Sequence, residues 1–462
     1  IPDRIEEGYG LNAEALRALA AAGTRLLITV DCGIRALEEV VLARRLGLQV
    51  IVTDHHHVGP ALPAADVILN PRRFECAYPF KDLSGAGVAF KLAQALLRVN
   101  RQTPLPATQG DLREEELLDL TALGTIADMV SLLGENHVIA RQGLREINAA
   151  RRPGLAALMQ TANVQPGKVT AGTVSFILAP RLNAAGRIGE ASLAFDLLVA
   201  PDLSSALPLA HQLETLNRER QELTQQVQEA SRRMVLESGD DSPLFFAAAE
   251  DFPAGIIGLA AGRLVEEFYR PVVVVERGEP FSKGSARSIP EFHITAALDS
   301  MAELLEHYGG HAAAAGFTIR TELLPELQAR LTALAREQLA GVTLMPTLQV
   351  DAELPLAELS AELQQALAML APFGYGNPEP LLVSRGLRVL EARAVGAEGR
   401  HLKLTVADAG EGGHPWSAIA FRQGDWLGRL PSRVDLAYNL TLNEWNGQTT
   451  LQLKVQDLRP AE

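Results

Sequence analysis

Two short apolar runs that end in acidic residues constrain the fold of this chain most strongly. Residues 48–53 have the composition of a buried strand and lead into Asp54-His55-His56, and residues 25–30 lead into Asp31 in the same way. The stretch between them, residues 34–45, carries apolar residues at helical spacing. The order strand, helix, strand predicts two parallel strands in one sheet. The chain is therefore expected to contain an α/β domain built on a parallel sheet.

The acids and imidazoles after these strands form a candidate metal site, because ligand sites in open parallel sheets lie beyond the carboxyl ends of the strands. A single Asp after a strand is more often a helix cap than a ligand. Here Asp31 and Asp54 are joined by His55 and His56, and the apolar stretch of residues 117–128 ends in a further acid, Asp128. Carboxylates together with neutral imidazoles suit a transition metal better than magnesium alone.

Several further motifs carry a family resemblance. They are RIEEGYG at 4–10, DLSGAG at 82–87, GTIAD at 124–128, RLNAAGR at 181–187, GSARS at 284–288, GGHAAAAG at 309–316 and PFGYGNP at 372–378. Together with Asp31 and Asp54-His55-His56, these motifs resemble the DHH phosphoesterase superfamily and, within it, the RecJ family of single-strand-specific exonucleases. The resemblance extends over nearly the whole chain.

The resemblance implies a role for each residue of the candidate metal site. Asp31 would bridge two divalent metal ions, manganese preferred or magnesium, and His55 and Asp128 would complete the ligands of one of them. His56 would face the scissile phosphate, and Asp54 would orient its neighbours. The family's first motif, an Asp-X-Asp, has no counterpart here, so we expect a fragment that keeps three ligands for one ion and only Asp31 for the other.

The resemblance also implies a phosphate-binding region farther along the chain. We use the name phosphate clamp for Ser285, Arg287, Gly309, Gly310 and His311. Backbone N–H groups of a Gly/Ala run can approach an anion closely, and His311 and Arg287 would contact phosphate. A close-packed helix entry is the alternative interpretation of this Gly/Ala run.

Arg181, Asn183 and Arg187 are further candidates for phosphate binding. They are expected in a Gly/Ala-rich loop, from which guanidinium groups can contact phosphate in a bidentate manner. Either arginine could instead belong to a structural ion pair.

Periodicity and punctuation divide the chain into four regions. Residues 1–200 are expected to form the first α/β domain, 201–238 a long connecting helix, 239–340 a second α/β domain, and 345–462 a β-barrel. The heptad-like apolar spacing of the long helix also allows a coiled coil. The second domain is expected to have strands at 244–248, 271–276 and 285–289 and helices at 256–268 and 295–307.

The last region is predicted to be a five-stranded OB-fold, which commonly binds single strands on one face. Its strands alternate at 386–394, 401–407, 417–421, 434–442 and 449–458, with an Asn446-Gly447 hairpin turn. The whole chain has a net charge of −14, whereas residues 381–462 contain ten Lys/Arg and nine Asp/Glu. Stacking candidates are Trp416, Phe421, Trp426 and Trp445, although aromatic residues in a barrel are more often core.

The resemblance implies a metal-dependent 5′→3′ exonuclease that hydrolyses single-stranded DNA in repair and recombination. It also implies a single-strand-binding protein and a helicase as partners. Alternatives are a DHH-type nanoRNase or nucleotide phosphatase, and a non-catalytic single-strand-binding scaffold. No apolar run approaches the ~18 residues of a membrane span, and the two cysteines form no disulfide framework, so a cytoplasmic location is expected.

Overall fold

The computed structural model describes residues 1, 10–104, 112–237, 239, 242–410, 413–445 and 447–461. The RIEEGYG motif, apart from its final glycine, and the turn residue Asn446 lie outside this range, and so does the side chain of Trp445. The chain divides into two compact units, Ile1–Asp128 with Gln142–Pro346 and Met129–Arg141 with Thr347–Glu462. No helix in the described ranges is both long enough and apolar enough to cross a membrane.

The first region of unit 1 contains the predicted parallel sheet. Strands β1 (Leu26–Val30), β2 (Gln49–Thr53) and β3 (Val67–Leu69) are parallel in the order β1-β2-β3. Val50 and Val52 are fully buried and pack with Leu16 and Val40 from the flanking helices. The burial of alternate strand residues under helices explains why the apolar runs were visible in the sequence.

Nine α-helices begin between residues 13 and 192 of the described ranges, and the fifth of them starts within the unit 2 segment Met129–Arg141 and continues into unit 1. They are α1 (Ala13–Ala21), α2 (Leu37–Arg45), α3 (Gly85–Gln102), α4 (Leu118–Ala127), α5 (Gly134–Ala149), α6 (Pro153–Thr161), α7 (Ala171–Thr173), α8 (Ala179–Ile188) and α9 (Ser192–Leu198). Ser84 caps α3 by accepting a hydrogen bond from the Gly87 backbone N–H. A Cβ on Gly124 of α4 would lie 2.5 Å from the Ala86 Cβ of α3, so this glycine allows the two helices to pack closely.

The predicted connecting helix is a single long α-helix, α10 (Leu203–Glu237). It packs against α6, α8 and α9 of the first region and against α11 (Ala254–Phe268) of the second. Its buried residues include Leu213 near one end and Val227 and Val235 near the other, and the latter two belong to the core of the second region. The apolar spacing therefore reflects packing within one chain and not a coiled coil.

The second region of unit 1 is built on a mixed sheet. Its elements after α11 are β5 (Val272–Glu276), β6 (Phe281–Arg287), α12 (Ile294–Asp299), β7 (Leu305–His311), β8 (Ala314–Arg320) and α13 (Leu324–Gln338), and β4 (Phe245–Ala249) precedes α11. The sheet order is β4-β5-β6-β8-β7, with β4 and β5 parallel and the other neighbours antiparallel. Val272 and Val274 pack with α10 and α11, whereas Val273 and Val275 pack with α12 and α13.

Two predictions for this region are wrong. The helix expected at 295–307 ends at Asp299, and residues 305–311 form β7; the strand expected at 285–289 covers 281–287. The alternative interpretation of the Gly/Ala run as a helix entry is also wrong: the run forms a β-hairpin, in which Gly309 and Gly310 pair with Gly316 and Ala315. Glycine weakens a helix. The apolar spacing up to Leu304 favours a helix, but residues 305–311 form a strand because their backbone groups hydrogen-bond to β8.

Unit 2 contains a closed five-stranded barrel, as predicted. Strands β10 (Leu382–Val395), β11 (His401–Ala407), β12 (Trp416–Ala420), β13 (Arg433–Trp445) and β14 (Gln448–Pro460) pair in the cyclic order β10-β11-β12-β14-β13-β10, which is consistent with an OB-fold. A short strand, β9 (Ala352–Glu353), pairs with β10, and one helix, α14 (Ala361–Ala368), precedes the barrel. The core contains Tyr438 and Leu404, and Trp416 and Trp426 pack against its edge.

Candidate metal centre

Asp31 lies directly after β1, as the sequence predicts. Its backbone N–H donates to the Thr53 carbonyl at 3.0 Å, and its φ is +64°, so the chain turns sharply away from the sheet at this carboxylate. A Cβ on Gly85, the first residue of α3, would lie 2.2 Å from Asp31 Oδ1. The DLSGAG motif therefore provides a glycine where the start of α3 approaches Asp31, the candidate ligand. The positive end of the helix dipole at this N-terminus favours the negative charge of the carboxylate.

Asp54 is a buried carboxylate that organises its neighbours. Its Oδ1 accepts hydrogen bonds from the backbone N–H groups of His55 at 2.7 Å and His56 at 3.1 Å, and its Oδ2 accepts from Ile34 at 3.0 Å. The His56 Nδ1 lies 2.7 Å from Asp54 Oδ1. Burial raises the pKa of Asp54, but the hydrogen bonds from the His56 ring and from these backbone groups outweigh it and lower the pKa overall.

His55 lies between two carboxylates. Its Nε2 is 3.0 Å from Asp31 Oδ1 and 3.3 Å from Asp128 Oδ2, and its side chain is almost entirely buried. Ligand atoms about 2.1 Å from one metal ion and at right angles to each other are about 3 Å apart, so His55 is spaced from Asp31 and from Asp128 as two ligands of one divalent ion would be. Asp128 is the residue that follows α4, and burial, with the nearby charge of Asp31, raises its pKa to about 6.

His56 is held by Asp54 and lies near the same point. A carboxylate only accepts hydrogen bonds, so the proton of this contact sits on His56 Nδ1, and the bond raises the pKa of His56. Ligand atoms of Asp31, His55 and His56 all lie within 4.8 Å of one another. This set shares Asp31 and His55 with the predicted ligand set and has His56 where the prediction has Asp128.

The sequence interpretation missed Asn70 and Arg72. The Asn70 side chain donates to the His56 carbonyl at 3.0 Å and accepts from the Arg72 backbone N–H at 2.8 Å. Arg72 donates to His57 Nε2 at 2.6 Å and to Asp82 at 3.1 Å. Asn70 directly follows β3, so the pattern of a polar residue after an apolar run, which identified Asp31 and Asp54, also applied to it.

The hairpin of β7 and β8 brings His311 to the candidate centre. The rings of His311 and His57 have centroids 6.2 Å apart. Burial, followed by the charges of His56 and Arg72, lowers the pKa of His311, so its imidazole is neutral at pH 7. The GGHAAAAG motif therefore lies beside the Asp-His-His motif, although the fold that places it there was not predicted.

Strand pairing aligns Arg287 with His311. Both residues pair with Ala314, Arg287 from β6 and His311 from β7, so their side chains leave the same face of the sheet two strands apart. Arg287 donates to Ser285 Oγ at 2.9 Å, and burial lowers the pKa of its guanidinium. Within the described ranges no acidic side chain forms an ion pair with Arg287. A buried cation without an acid partner favours an anionic ligand.

The structure corrects the expected surroundings of Arg181, Asn183 and Arg187, which lie in the helix α8 and not in a loop. Arg181 forms a buried ion pair with Glu214 of α10 at 2.6 Å. Arg187 donates to the Gly255 carbonyl at 3.1 Å, where a Cβ on Gly255 would lie 2.2 Å from the Arg187 carbonyl oxygen. Asn183 is exposed and lines a cleft of about 870 Å³ together with Asp31.

The basic residues of the barrel differ in their surroundings: some form ion pairs with acids, and one is partly buried. Arg385 pairs with Glu353 at 2.8 Å and Arg400 with Glu398 at 2.6 Å. Burial, together with the charge of Arg393, lowers the pKa of Lys403. Phe421 is half exposed and lies edge-on to His401, with ring centroids 5.2 Å apart. Phe421 is therefore better placed for stacking than Trp416 and Trp426, which pack on the core.

Comparison with known proteins assigns a family to each region. The DHH family N-terminal domain model matches residues 1–125, the DHHA1 domain model matches residues 241–337, and the RecJ OB domain model matches residues 350–457. The order of these matches follows the order of the motifs that carried the resemblance.

Similar curated proteins cover the whole chain. The single-stranded-DNA-specific exonuclease RecJ of Bacillus subtilis (strain 168) is 38% identical over all of the chain, which spans 57% of that protein. The protein of the same name from Escherichia coli (strain K12) is also 38% identical over all of the chain, which spans 82% of it.

Solved structures agree with these matches. RecJ from Thermus thermophilus in complex with Mn²⁺ has a TM-score of 0.83 and 33% identity, covering 98% of this chain and 64% of that one. The Mg²⁺ complex from the same organism has a TM-score of 0.76 and 31% identity, covering 97% and 70%. The fold, the metal-site residues and relatives at 38% identity over the full chain lead to one conclusion. This chain belongs to the RecJ family of DHH phosphoesterases.

Proposed function

We propose that this chain carries the catalytic centre of a metal-dependent exonuclease that degrades single-stranded DNA from its 5′ end, in DNA repair and recombination. One observation carries the proposal: His55 Nε2 lies 3.0 Å from Asp31 Oδ1 and 3.3 Å from Asp128 Oδ2. The names of the relatives at 38% identity support the substrate class.

Asp31, His55 and Asp128 would hold a divalent ion, with Mn²⁺ preferred over Mg²⁺ because imidazole is among the donors. A second ion would share Asp31. When bound, such ions lower the pKa of a water molecule and neutralise the charge that develops on phosphate. The chain itself must deliver deprotonated ligands, so the carboxyl of Asp128, with its pKa of about 6, can bind the ion only in its ionised form.

His56 would act on the scissile phosphate from a fixed orientation. Asp54 holds a proton on His56 Nδ1, 2.7 Å from its own Oδ1, which leaves Nε2 on the other side of the ring to face the substrate. Because this hydrogen bond also raises the pKa of His56, the ring carries positive charge over a wider pH range than a free imidazole. The Asn70 side chain holds the backbone of His56 by donating a hydrogen bond to its carbonyl.

The phosphate clamp would bind the strand next to this centre. Arg287 has lost part of its hydration through burial and has no acidic ion-pair partner among the described residues, so a phosphate would supply the missing charge. His311 lies at the same level of the sheet and beside His57. Asn183 and Arg187 remain candidates for further contacts, whereas the ion pair of Arg181 with Glu214 supports the structural alternative for this residue.

The barrel would bind single-stranded DNA through exposed side chains such as Phe421. A single-strand-binding protein and a helicase are proposed partners, and the cytoplasm is the proposed location. A nanoRNase or nucleotide phosphatase is less well supported, because the RecJ OB domain model matches residues 350–457. A non-catalytic scaffold would not require two carboxylates, Asp31 and Asp128, to converge on His55.

The test is an assay of the protein on oligonucleotides labelled at either end. We expect Mn²⁺-dependent release of the 5′ label from single strands and little release from blunt duplexes. The release from single strands should be lost when Asp31 is replaced by Ala. Release that begins at the 3′ end, or that continues in the presence of a chelator, would contradict the proposal.

A further inference from the structure

A turn in unit 2 holds the stretch of chain that leaves Asp128. The turn comprises residues 370–378, and we call it the Asn377 turn. The Asn377 side chain donates to the carbonyls of Leu370 at 3.0 Å and Pro372 at 2.9 Å. Gly374 and Asn377 also exchange two backbone hydrogen bonds, at 2.9 and 3.1 Å. These internal hydrogen bonds determine the shape of the turn.

The Asn377 turn contacts residues 131 and 132 through backbone and glycine. The Leu132 N–H donates to the Tyr375 carbonyl at 2.7 Å. A Cβ on Gly374 would lie 2.7 Å from Leu132 Cδ1, and a Cβ on Gly376 would lie 2.2 Å from Ser131 Oγ. Gly376 also has a φ of +75°, which disfavours other residues. The two glycines of the PFGYGNP motif thus allow a close approach to this segment.

The segment is held from its other side as well. Leu132 is 2% exposed, and the Asn136 side chain donates to the Ser131 carbonyl at 2.9 Å. Residues 129–141 group with the barrel and not with the sheet that precedes them. The stretch between the metal-site carboxylate and the first helical turn of α5 is therefore fixed by unit 2.

Asp128 is close to this contact along the chain. Its N–H donates to the Gly124 carbonyl at 2.9 Å, which ends α4, and Met129 then has a φ of +58°. Two residues separate Asp128 from Ser131, and extended chain spans only about 3.5 Å per residue. A shift of Ser131 or Leu132 must therefore be absorbed by Met129 and Val130 or moves Asp128.

We propose that the Asn377 turn is a positioning element for Asp128: it anchors the chain that follows this carboxylate and so preserves the approach of Asp128 Oδ2 to His55 Nε2. The inference rests on the metal site of the proposed function.

The test compares two glycine substitutions in unit 2, Gly376→Ala and Gly386→Ala. Both glycines have positive φ, +75° and +63°, but a Cβ on Gly386 meets no atom within 4 Å. Mn²⁺ affinity is measured on the full chain by calorimetry and electron paramagnetic resonance, and thermal unfolding is followed in parallel. We expect Gly376→Ala to weaken Mn²⁺ binding about tenfold, as for groups that orient metal ligands, and Gly386→Ala to leave it unchanged.

A third variant separates the contact from backbone strain. Ser131→Gly removes the Oγ and Cβ nearest to the new methyl group, so Gly376→Ala combined with Ser131→Gly should recover most of the Mn²⁺ affinity. If Gly376→Ala fails to fold, Asn377→Ala replaces it, because this change opens the turn without adding atoms near Ser131.

The outcomes distinguish this inference from the proposed function. Mn²⁺ affinity that is unchanged in Gly376→Ala or Asn377→Ala, or reduced equally in Gly386→Ala, overturns the positioning role and leaves the exonuclease proposal intact. Absence of Mn²⁺ binding by the unsubstituted chain overturns the metal site, and with it the role of the turn.

Discussion

The two sheets of unit 1 place candidate site residues in different ways. In the parallel sheet, Asp31, Asp54 and Asn70 follow the ends of β1, β2 and β3. In the mixed sheet, Arg287 and His311 lie within strands and are brought to one level by their common pairing with Ala314. A parallel sheet gathers polar residues at its edge through chain direction alone, whereas an antiparallel sheet does so only once the register is set.

Replacement of Asp31 by Ala tests the edge of the parallel sheet and should have the largest effect. The change removes a carboxylate 3.0 Å from His55 Nε2 that also lies near His56. We expect the rate of single-strand cleavage to fall on the order of 10³-fold or more. The control is Asp196→Ala, an exposed acid of α9. Near-normal turnover of Asp31→Ala would show that the edge of the parallel sheet is not part of the catalytic centre.

Replacement of Arg287 or His311 by Ala tests the mixed sheet. Each change removes a hydrogen bond to phosphate worth about 1.5–3 kcal/mol if the partner is charged, so we expect roughly 10- to 100-fold slower cleavage of short oligonucleotides. Arg320→Ala, at the exposed end of β8, is the matched control. If the two variants cleave short strands normally, the alignment on Ala314 has no part in substrate binding.

The pH dependence of Mn²⁺ binding tests Asp128. Its pKa of about 6 means that the carboxyl is ionised at neutral pH and takes up a proton as the pH falls through 6. A metal requires the ionised form, so Asp128 alone should weaken Mn²⁺ binding by roughly tenfold between about pH 7 and about pH 5. Titration calorimetry should find a steeper fall for the unsubstituted chain than for Asp128→Asn. Parallel pH profiles for both would show that Asp128 does not bind the ion.

Replacement of two glycines of the mixed sheet by Ala should change the free energy of unfolding to different extents. Among the predicted substitutions, these should have the smallest effect on turnover. A Cβ on Gly284 would lie 2.0 Å from the Phe317 ring, whereas on Gly316, the residue that precedes Phe317, it would meet nothing closer than 3.9 Å. We expect Gly284→Ala to lower the free energy of unfolding by about 1–3 kcal/mol through overpacking and Gly316→Ala to change it little. Urea denaturation measures both, and equal values would argue against the register of β6 and β8.

The sequence by itself indicated the parallel sheet, the long helix, the barrel strands and the residues of the candidate metal centre. Each of these leaves a local signature: apolar periodicity marks the strands and α10, Asp128 ends the apolar stretch that forms α4, and Asp31 and Asp54 each follow a parallel strand at the same edge of the sheet. Asn70 carried the same signature and was overlooked. The motifs that carry the resemblance pointed to Ser285, Arg287 and His311; the strand that holds the first two was expected at 285–289, whereas the strand that holds His311 was not predicted.

Only the tertiary structure decided the rest. Residues 305–311 have helical apolar spacing before them but form a strand, because their hydrogen-bond partners lie in β8. Arg181 forms an ion pair because Glu214, in another helix, reaches it at 2.6 Å. Residues 129–141 join the barrel unit through a turn more than 200 residues away in the chain. For Arg181 and for residues 129–141 the deciding contact is between residues distant in sequence, and such contacts leave no periodic pattern in the local segment.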